Sequence, residues 1–481
     1  SDGQCQTTLN KSKMIVAKFI SKKTSFSSSS KSSSSSKFFS SKSSTSSKAS
    51  SSKAFSSSSS ILSKSSSSVS KSSSGSLGFS SSSSSVLNFK LNSCGEITTP
   101  GNYTLTNNIK SNKGEGTCLN IHDTNDVHID CNNYTVWGEK YFPKTKYETE
   151  NIGDNAIRFK NVNNFSLSSC KLGGESDVPL LIEKSKNGSI KNNNIGKFFA
   201  FSYDSSNLNF ENNNFSWYEQ SYSNNVTMRD NIFDPQFSKE NIRAFTSIAG
   251  VISSSLGSKN KFINNKINGN AEGSYEKQEG ADDGIMIQDE SDDLIQGNDI
   301  KNVWDCGIET SGNLFGTKIV ENNIKNAGFC GIGGWYWNNW KDNIITNNVA
   351  QDTPQLFTLF RQYGLRPKGW DQEKRMPADD LFYFKNNYFS RNKLINPRIQ
   401  PKRSSEFNMS PPASLSTIIG ERYPISSEII TKDNYFKDND FSVALDAPTF
   451  NPPSMIIDEG GNKCRIAQGK EGGSYPIKCS Q

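Results

Sequence analysis

The chain has 481 residues, 33% hydrophobic and 21% charged, with 54 basic and 48 acidic side chains and a formal charge of +6. That length could house two or three domains, but so low an apolar content excludes a chain that is packed throughout. The first 90 residues hold 13 Lys, no Arg and one acid, Asp2, leaving 41 basic and 47 acidic residues for the remainder. A basic arm thus precedes an acidic body; an arm without Arg on a body that repels phosphate argues against nucleic acid as a partner.

Residues 1–23 form a Lys-rich segment with Cys5 and the glycosylation sequon at Asn10. Ser1 reads as the residue left by removal of a signal peptide. The one apolar run, Met14 to Ile20, is broken by Lys18 and is far shorter than the roughly 20 residues that a membrane span needs. Residues 24–90 are a Ser-rich arm in which Lys31, Lys42, Lys53 and Lys64 recur every 11 residues. Eleven residues fit three helical turns, placing the Lys on one stripe, with an extended strand along a repeating surface a close second reading because Ser is a mediocre helix former. A flexible linker, an O-glycosylated stalk and a phosphorylated mineral-binding tract are the alternatives.

From 91 to 455 a pattern, apolar-x-x-Asn-x-apolar, returns again and again. It centres on Asn132, Asn193, Asn213, Asn231, Asn265, Asn298, Asn322, Asn347 and Asn387, with Asn434 continuing it loosely. Asn298, Asn322 and Asn347 lie 24 and 25 residues apart, the length of one solenoid coil. Each Asn turns a corner between two short strands whose apolar flanks face a continuous core, and its amide bridges neighbouring coils. The expected fold is all-β: a right-handed parallel β-helix whose Asn side chains stack in a buried file, with Asn133 and Asn214 beside it pointing to solvent. Residues 456–481 read as a C-terminal tail closed by a disulfide loop.

The stretch Cys94-Gly95-Glu96-Ile97, Pro100 to Leu105, Gly116 to Leu119 and Val127 to Asn132 resembles the opening of a pectin-lyase-like β-helix. Asp283-Gly284-Ile285, Cys306-Gly307-Ile308 and Cys330-Gly331-Ile332 look like its strand starts. The resemblance covers about three quarters of the chain and implies the fold, not one function, since lyases, hydrolases, epimerases, tailspikes and adhesins share it.

Polygalacturonases of that superfamily carry acids on adjacent coils together with Gly-His-Gly and Arg-x-Lys elements. Aligning Gly284 with Gly307 stacks Asp282 over Asp305, with Glu309 nearby, and such pairing separates carboxyl pKa values. The companions are missing: the only histidines are His122 and His128, several coils away. No assembled catalytic centre is therefore expected at Asp282, Asp305 and Glu309. Calcium is a candidate ligand of Asp289, Asp292 and Asp293. A lyase would draw its base from the insertion bearing Arg361, Arg366, Lys368 and Arg375, and Trp335, Tyr336, Trp337 and Trp340 could stack on sugar or simply be buried.

Eight sequons, at Asn10, Asn102, Asn133, Asn164, Asn187, Asn214, Asn225 and Asn408, and nine cysteines point to the secretory route and to N-linked glycans. Cys306 and Cys330 both precede a Gly-Ile start 24 residues apart, so stacked coils bring them within disulfide range. The expected pairs are Cys306 with Cys330, Cys94 with Cys118, Cys131 with Cys170 and Cys464 with Cys479; unbonded thiols are the alternative. Cys5 is left over for an intermolecular bond.

The reading that joins these parts is a secreted, extracellular structural glycoprotein, a filament or surface-appendage subunit that self-assembles head to tail through its arm. The alternatives are a secreted polysaccharide lyase or hydrolase and a glycan-binding adhesin.

Overall fold

The computed structural model describes residues 87–112, 116–138, 155–174, 178–235, 250–271, 280–359, 382–398, 429–443 and 456–464. The segment with Cys5 and Asn10, residues 24–86 of the Ser-rich arm, the basic insertion, Asn408 and Cys479 lie outside them.

Every strand pairing among the described residues is parallel. One sheet has 14 strands, and the remaining 24 strands pair among themselves. One coil shows how the sequence makes the turn. Lys318–Val320 runs in the 14-stranded sheet and Asn322 turns the corner into Asn323–Ala327. The long strand Cys330–Lys341 follows, and Asn343 turns the chain back into Ile344–Thr346, which pairs with Lys318–Val320. Successive coils repeat this path, so alternate apolar side chains line one enclosed core. Ile285, Ile308, Ile332 and Phe357 are in register along the long strands and fully buried.

The Asn stack consists of two files. In the first, backbone N–H and amide pass from Asn193 through Asn213, Asn231, Asn265, Asn298, Asn322, Asn348, Asn392 and Asn439 to Asn462. Asn322 is typical: its Oδ1 accepts from the Asn298 N–H at 3.0 Å and from Asn298 Nδ2 at 2.9 Å, while its own Nδ2 donates to the Ile295 carbonyl at 2.9 Å. The second file turns the other corner through Asn260, Asp293, Thr317, Asn343, Asn387 and Asn434.

Three sequence assignments are corrected. Asn387 belongs to the second file, because Phe384-x-x-Asn387-x-Phe389 spans the corner that leaves the long strand. Asn348, not Asn347, occupies the first file, and Asn347 takes the left-handed backbone that precedes it, with φ of 58°. Asn132 is exposed, and the file position is taken by Cys131, bonded to Cys170, whose N–H meets Asn193 Oδ1 at 2.9 Å. The left-handed residue of each corner thus comes one place before the file Asn, as Asn192, Asn212, Gly297 and Glu321 show. Asn133 and Asn214 are exposed.

Disulfides join Cys94 to Cys118, Cys131 to Cys170 and Cys306 to Cys330, with Cα atoms 4.5 to 4.7 Å apart, one coil spacing. Cys464 is also disulfide-bonded.

Candidate acid site on the long strands

The strands Asp283–Ser291 and Cys306–Phe315 lie side by side, and their starts carry the acids. Gly284 is required there: a Cβ would come within 2.3 Å of Ile300 Cγ2 and 2.5 Å of the Gly307 carbonyl. This close approach stacks the two starts. The Asp305 N–H donates to the Asp282 carbonyl at 2.9 Å, and the Cys306 N–H donates to Asp283 Oδ1 at 3.1 Å. Glu309, next to the core residue Ile308, projects from the outer face of the sheet.

Asp282, Asp283, Asp305 and Glu309 therefore meet, as the alignment of Gly284 with Gly307 leads one to expect for Asp282 and Asp305. A carboxylate oxygen of Asp283, one of Glu309 and Cys306 Sγ lie within 4.8 Å of one another. Because Cys306 is oxidised in its disulfide it offers no thiolate, and a cation would find only the carboxylates. Asp282 Oδ1 and Asp283 Oδ2 are buried with no hydrogen-bond partner. Burial, reinforced by the charges of Asp305 and Glu309, holds the Asp282 carboxyl well above the usual carboxylate range, and burial followed by Glu309 does the same for Asp283. Burial alone pushes Asp305 up to about 8. Burial thus favours the protonated form of Asp305 at neutral pH.

Glu309 stands in a row with Glu219, Ser253, Met286, Gly333 and Thr358 on successive strands. Burial raises Glu219 to about 6. Nothing in the repeat marks Glu219, and only the register brings it into line with Glu309. A separate acid pair, Glu290 and Asp293, lies inside the coil. Ser254 Oγ donates to Glu290, Asn260 Nδ2 donates to it at 3.2 Å, and burial raises both carboxyls.

The calcium candidates are divided. Asp293 belongs to this inner pair, Asp289 Oδ1 accepts from the Asn313 N–H at 2.9 Å, and Asp292 is an exposed corner residue with φ of 60°. Among the described residues these three do not converge as one ligand set. Trp340 is fully buried against Phe384 and Phe389, which removes it from any sugar platform; the side chains of Trp335, Tyr336 and Trp337 lie outside those described. His122 and His128 stay on early coils, His122 bound to Glu96 and Asp123, His128 to Ser166.

Residues 236–366 match the family model described as a right handed beta helix region. No curated protein matches the chain in sequence. Among solved structures, the chain is similar to an alginate lyase at 14% identity, covering 79% of this chain and 81% of that one, with a TM-score of 0.41. It is also similar to the A-module of a mannuronan C-5 epimerase of Azotobacter vinelandii at 12% identity, covering 58% and 88%, with a TM-score of 0.32. A surface adhesin of Streptococcus pneumoniae is a third, at 10% identity, 71% and 78% coverage and a TM-score of 0.31. Likeness at this level concerns the fold alone. The family match and the all-parallel coils identify the chain as a right-handed parallel β-helix protein, the fold implied by the resemblance to the pectin-lyase-like superfamily.

Proposed function

We propose that the chain is a secreted enzyme that cleaves a polysaccharide, with its acid–base site at Asp305, Asp282, Asp283 and Glu309. The observation that supports this is the gathering of carboxyls on adjacent coils, with carboxylate oxygens of Asp283 and Glu309 within 4.8 Å of each other and the Asp305 N–H bonded to the Asp282 carbonyl, where burial favours the protonated form of Asp305. Glycosidic cleavage needs one carboxylic acid to protonate the leaving oxygen and one carboxylate at the sugar, and environments that push paired pKa values apart assign these roles. Asp305 is the proton donor. Glu309, on the outer row, is the carboxylate that faces the sugar, and burial keeps the donor protonated. The row from Glu219 to Thr358 crosses six strands, about 24 Å at the usual strand spacing, which suits an extended polymer better than a compact metabolite. The three disulfides fit an oxidising, extracellular setting. The test is release of reducing ends from a panel of neutral and acidic polysaccharides by the wild type and by Asp305→Asn; a panel left intact by the wild type would sink the reading.

A second reading, a filament subunit joined head to tail through residues 1–90, is favoured by the first coil. Asn88–Leu91 pairs on one side only among the described residues, with Gly101–Leu105, and none of its four residues is buried. Such an open edge accepts a strand from a neighbour. Loss of filaments on removal of residues 1–86 would support it.

A further inference from the structure

Six sequons fall on described residues, all before residue 234, and three of them share one column. Asn164, Asn187 and Asn225 stand on the corner where the long strands pass into the 14-stranded sheet, each exposed and each left-handed, with φ of 56°, 58° and 53°. The register that stacks Ser166 on Ser189, Ser189 on Asn209 and Asn209 on Thr227 stacks the sequon hydroxyls as well. The amides are tied along the corner: Asn187 Nδ2 donates to Asn163 Oδ1 at 2.8 Å, Asn207 Nδ2 to Asn187 Oδ1 at 2.9 Å, and Asn225 Nδ2 to Asn207 Oδ1 at 2.8 Å. Asn164 Nδ2 donates to Asp126. Each Nδ2 has two hydrogens and gives one to this file, so one is left for chemistry.

We propose that Asn164, Asn187 and Asn225 carry N-linked oligosaccharides that rise as a single ridge from this corner. In the transfer, the amide Nδ2 attacks the anomeric carbon of a lipid-diphosphate-linked oligosaccharide. The N–C bond forms as the C–O bond to the diphosphate breaks, the lipid diphosphate leaves, and the amide loses one proton. The remaining N–H still serves the file and Oδ1 still accepts, so the modified residue fits the folded corner without losing a bond. Asn164 and Asn187 sit on adjacent coils and Asn225 two coils further, giving separations of about 5 and 10 Å. Asn133 and Asn214 are exposed outside this file, and Asn102 is only partly exposed.

The ridge shields the early coils. Described residues from Gly250 onward contain no sequon, and these coils carry the acid cluster at the opposite end of the long strands. Strand Asp283–Ser291 has 9 residues, so Asp283 lies about 26 Å from the corner side of its own coil. The ridge therefore turns large partners away from this corner of the early coils, whatever reaction the later coils perform.

The test uses the full chain secreted by its own cells. Enzymatic release of N-glycans in heavy-oxygen water, followed by peptide mass spectrometry, should convert Asn164, Asn187 and Asn225 to labelled Asp. Finding all three peptides unmodified would overturn the proposal. Ser189→Ala and Thr227→Ala, which destroy two sequons but leave the amide file in place, should each remove one glycan's mass with unchanged thermal unfolding of the deglycosylated protein. An intact-protein mass that does not fall by a glycan in either variant would also overturn it.

Discussion

Replacing Asp305 by Asn removes a titrating proton at the centre of the acid cluster and leaves the shape of the side chain. An Asp in an unfolded chain ionises near pH 4, and burial raises Asp305 to about 8, a difference worth on the order of 5 kcal/mol. Since the folded-state value is the higher one, the native protein binds this proton more tightly than the unfolded chain does. Its contribution to stability is fully present below about pH 4 and is lost as pH rises toward about 8. The neutral amide that takes the carboxyl's place cannot ionise, and it also relieves Asp282 and Asp283 of a neighbouring charge. Urea unfolding with disulfides intact, followed by tryptophan fluorescence at about pH 5 and about pH 9, measures the effect. The wild type should lose several kcal/mol between the two conditions, while Asp305→Asn loses much less and is the more stable protein at the higher pH. Parallel pH profiles for the two proteins would refute the reasoning, because Asp305 would then ionise as freely in the folded state as in the unfolded chain.

Asn322→Ala strips four hydrogen bonds from a fully buried file, those to the Asn298 N–H, Asn298 Nδ2, the Ile295 carbonyl and Asn348 Oδ1, a loss of about 3 to 6 kcal/mol. Asn323→Ala removes only an exposed bond to Asp299, and its stability should stay within about 0.5 kcal/mol of wild type. Joint replacement of Cys306 and Cys330 by Ala opens a loop with a separation of 24 residues and should cost about 3 kcal/mol in the same assay. Asp293→Asn turns the inner acid pair into an Asn–Glu pair within the second file and should raise the melting temperature at alkaline pH more than at acid pH, since burial favours the proton on both carboxyls. Removing residues 1–86 should leave a monomeric β-helix with unchanged circular dichroism, and filaments persisting in the truncated protein would count against assembly through the arm.

The coil was legible in the sequence because its period is written in residue types: an amide at the corner, apolar residues on both sides, and Gly-Ile at the start of three successive long strands. What the pattern could not separate was one corner from the other. Ile319-x-x-Asn322-x-Ile324 and Phe384-x-x-Asn387-x-Phe389 read alike, yet the first leaves the 14-stranded sheet and the second leaves the long strand. Both corners need the same left-handed step followed by the same amide, so local chemistry is identical and only coil length tells them apart. Runs such as Asn347-Asn348 add a one-place ambiguity that the file resolves, since one of the two must take positive φ. The stacking of Asp282 on Asp305 followed from aligning Gly284 with Gly307. The depth of the cluster did not, because burial on the outer face of a sheet depends on what covers it. Glu219 was invisible for another reason: its neighbour Glu309 is 90 residues away and three strands across.

The most direct test of the acid site is polysaccharide cleavage by wild-type protein and by Asp305→Asn, with a matching fold in both verified by circular dichroism. The wild type should release reducing ends from at least one polysaccharide and the variant should be slower by at least about 100-fold, the usual scale for losing a general acid. Equal rates for the two proteins, or a wild type that cleaves nothing across neutral and acidic polymers, would contradict it.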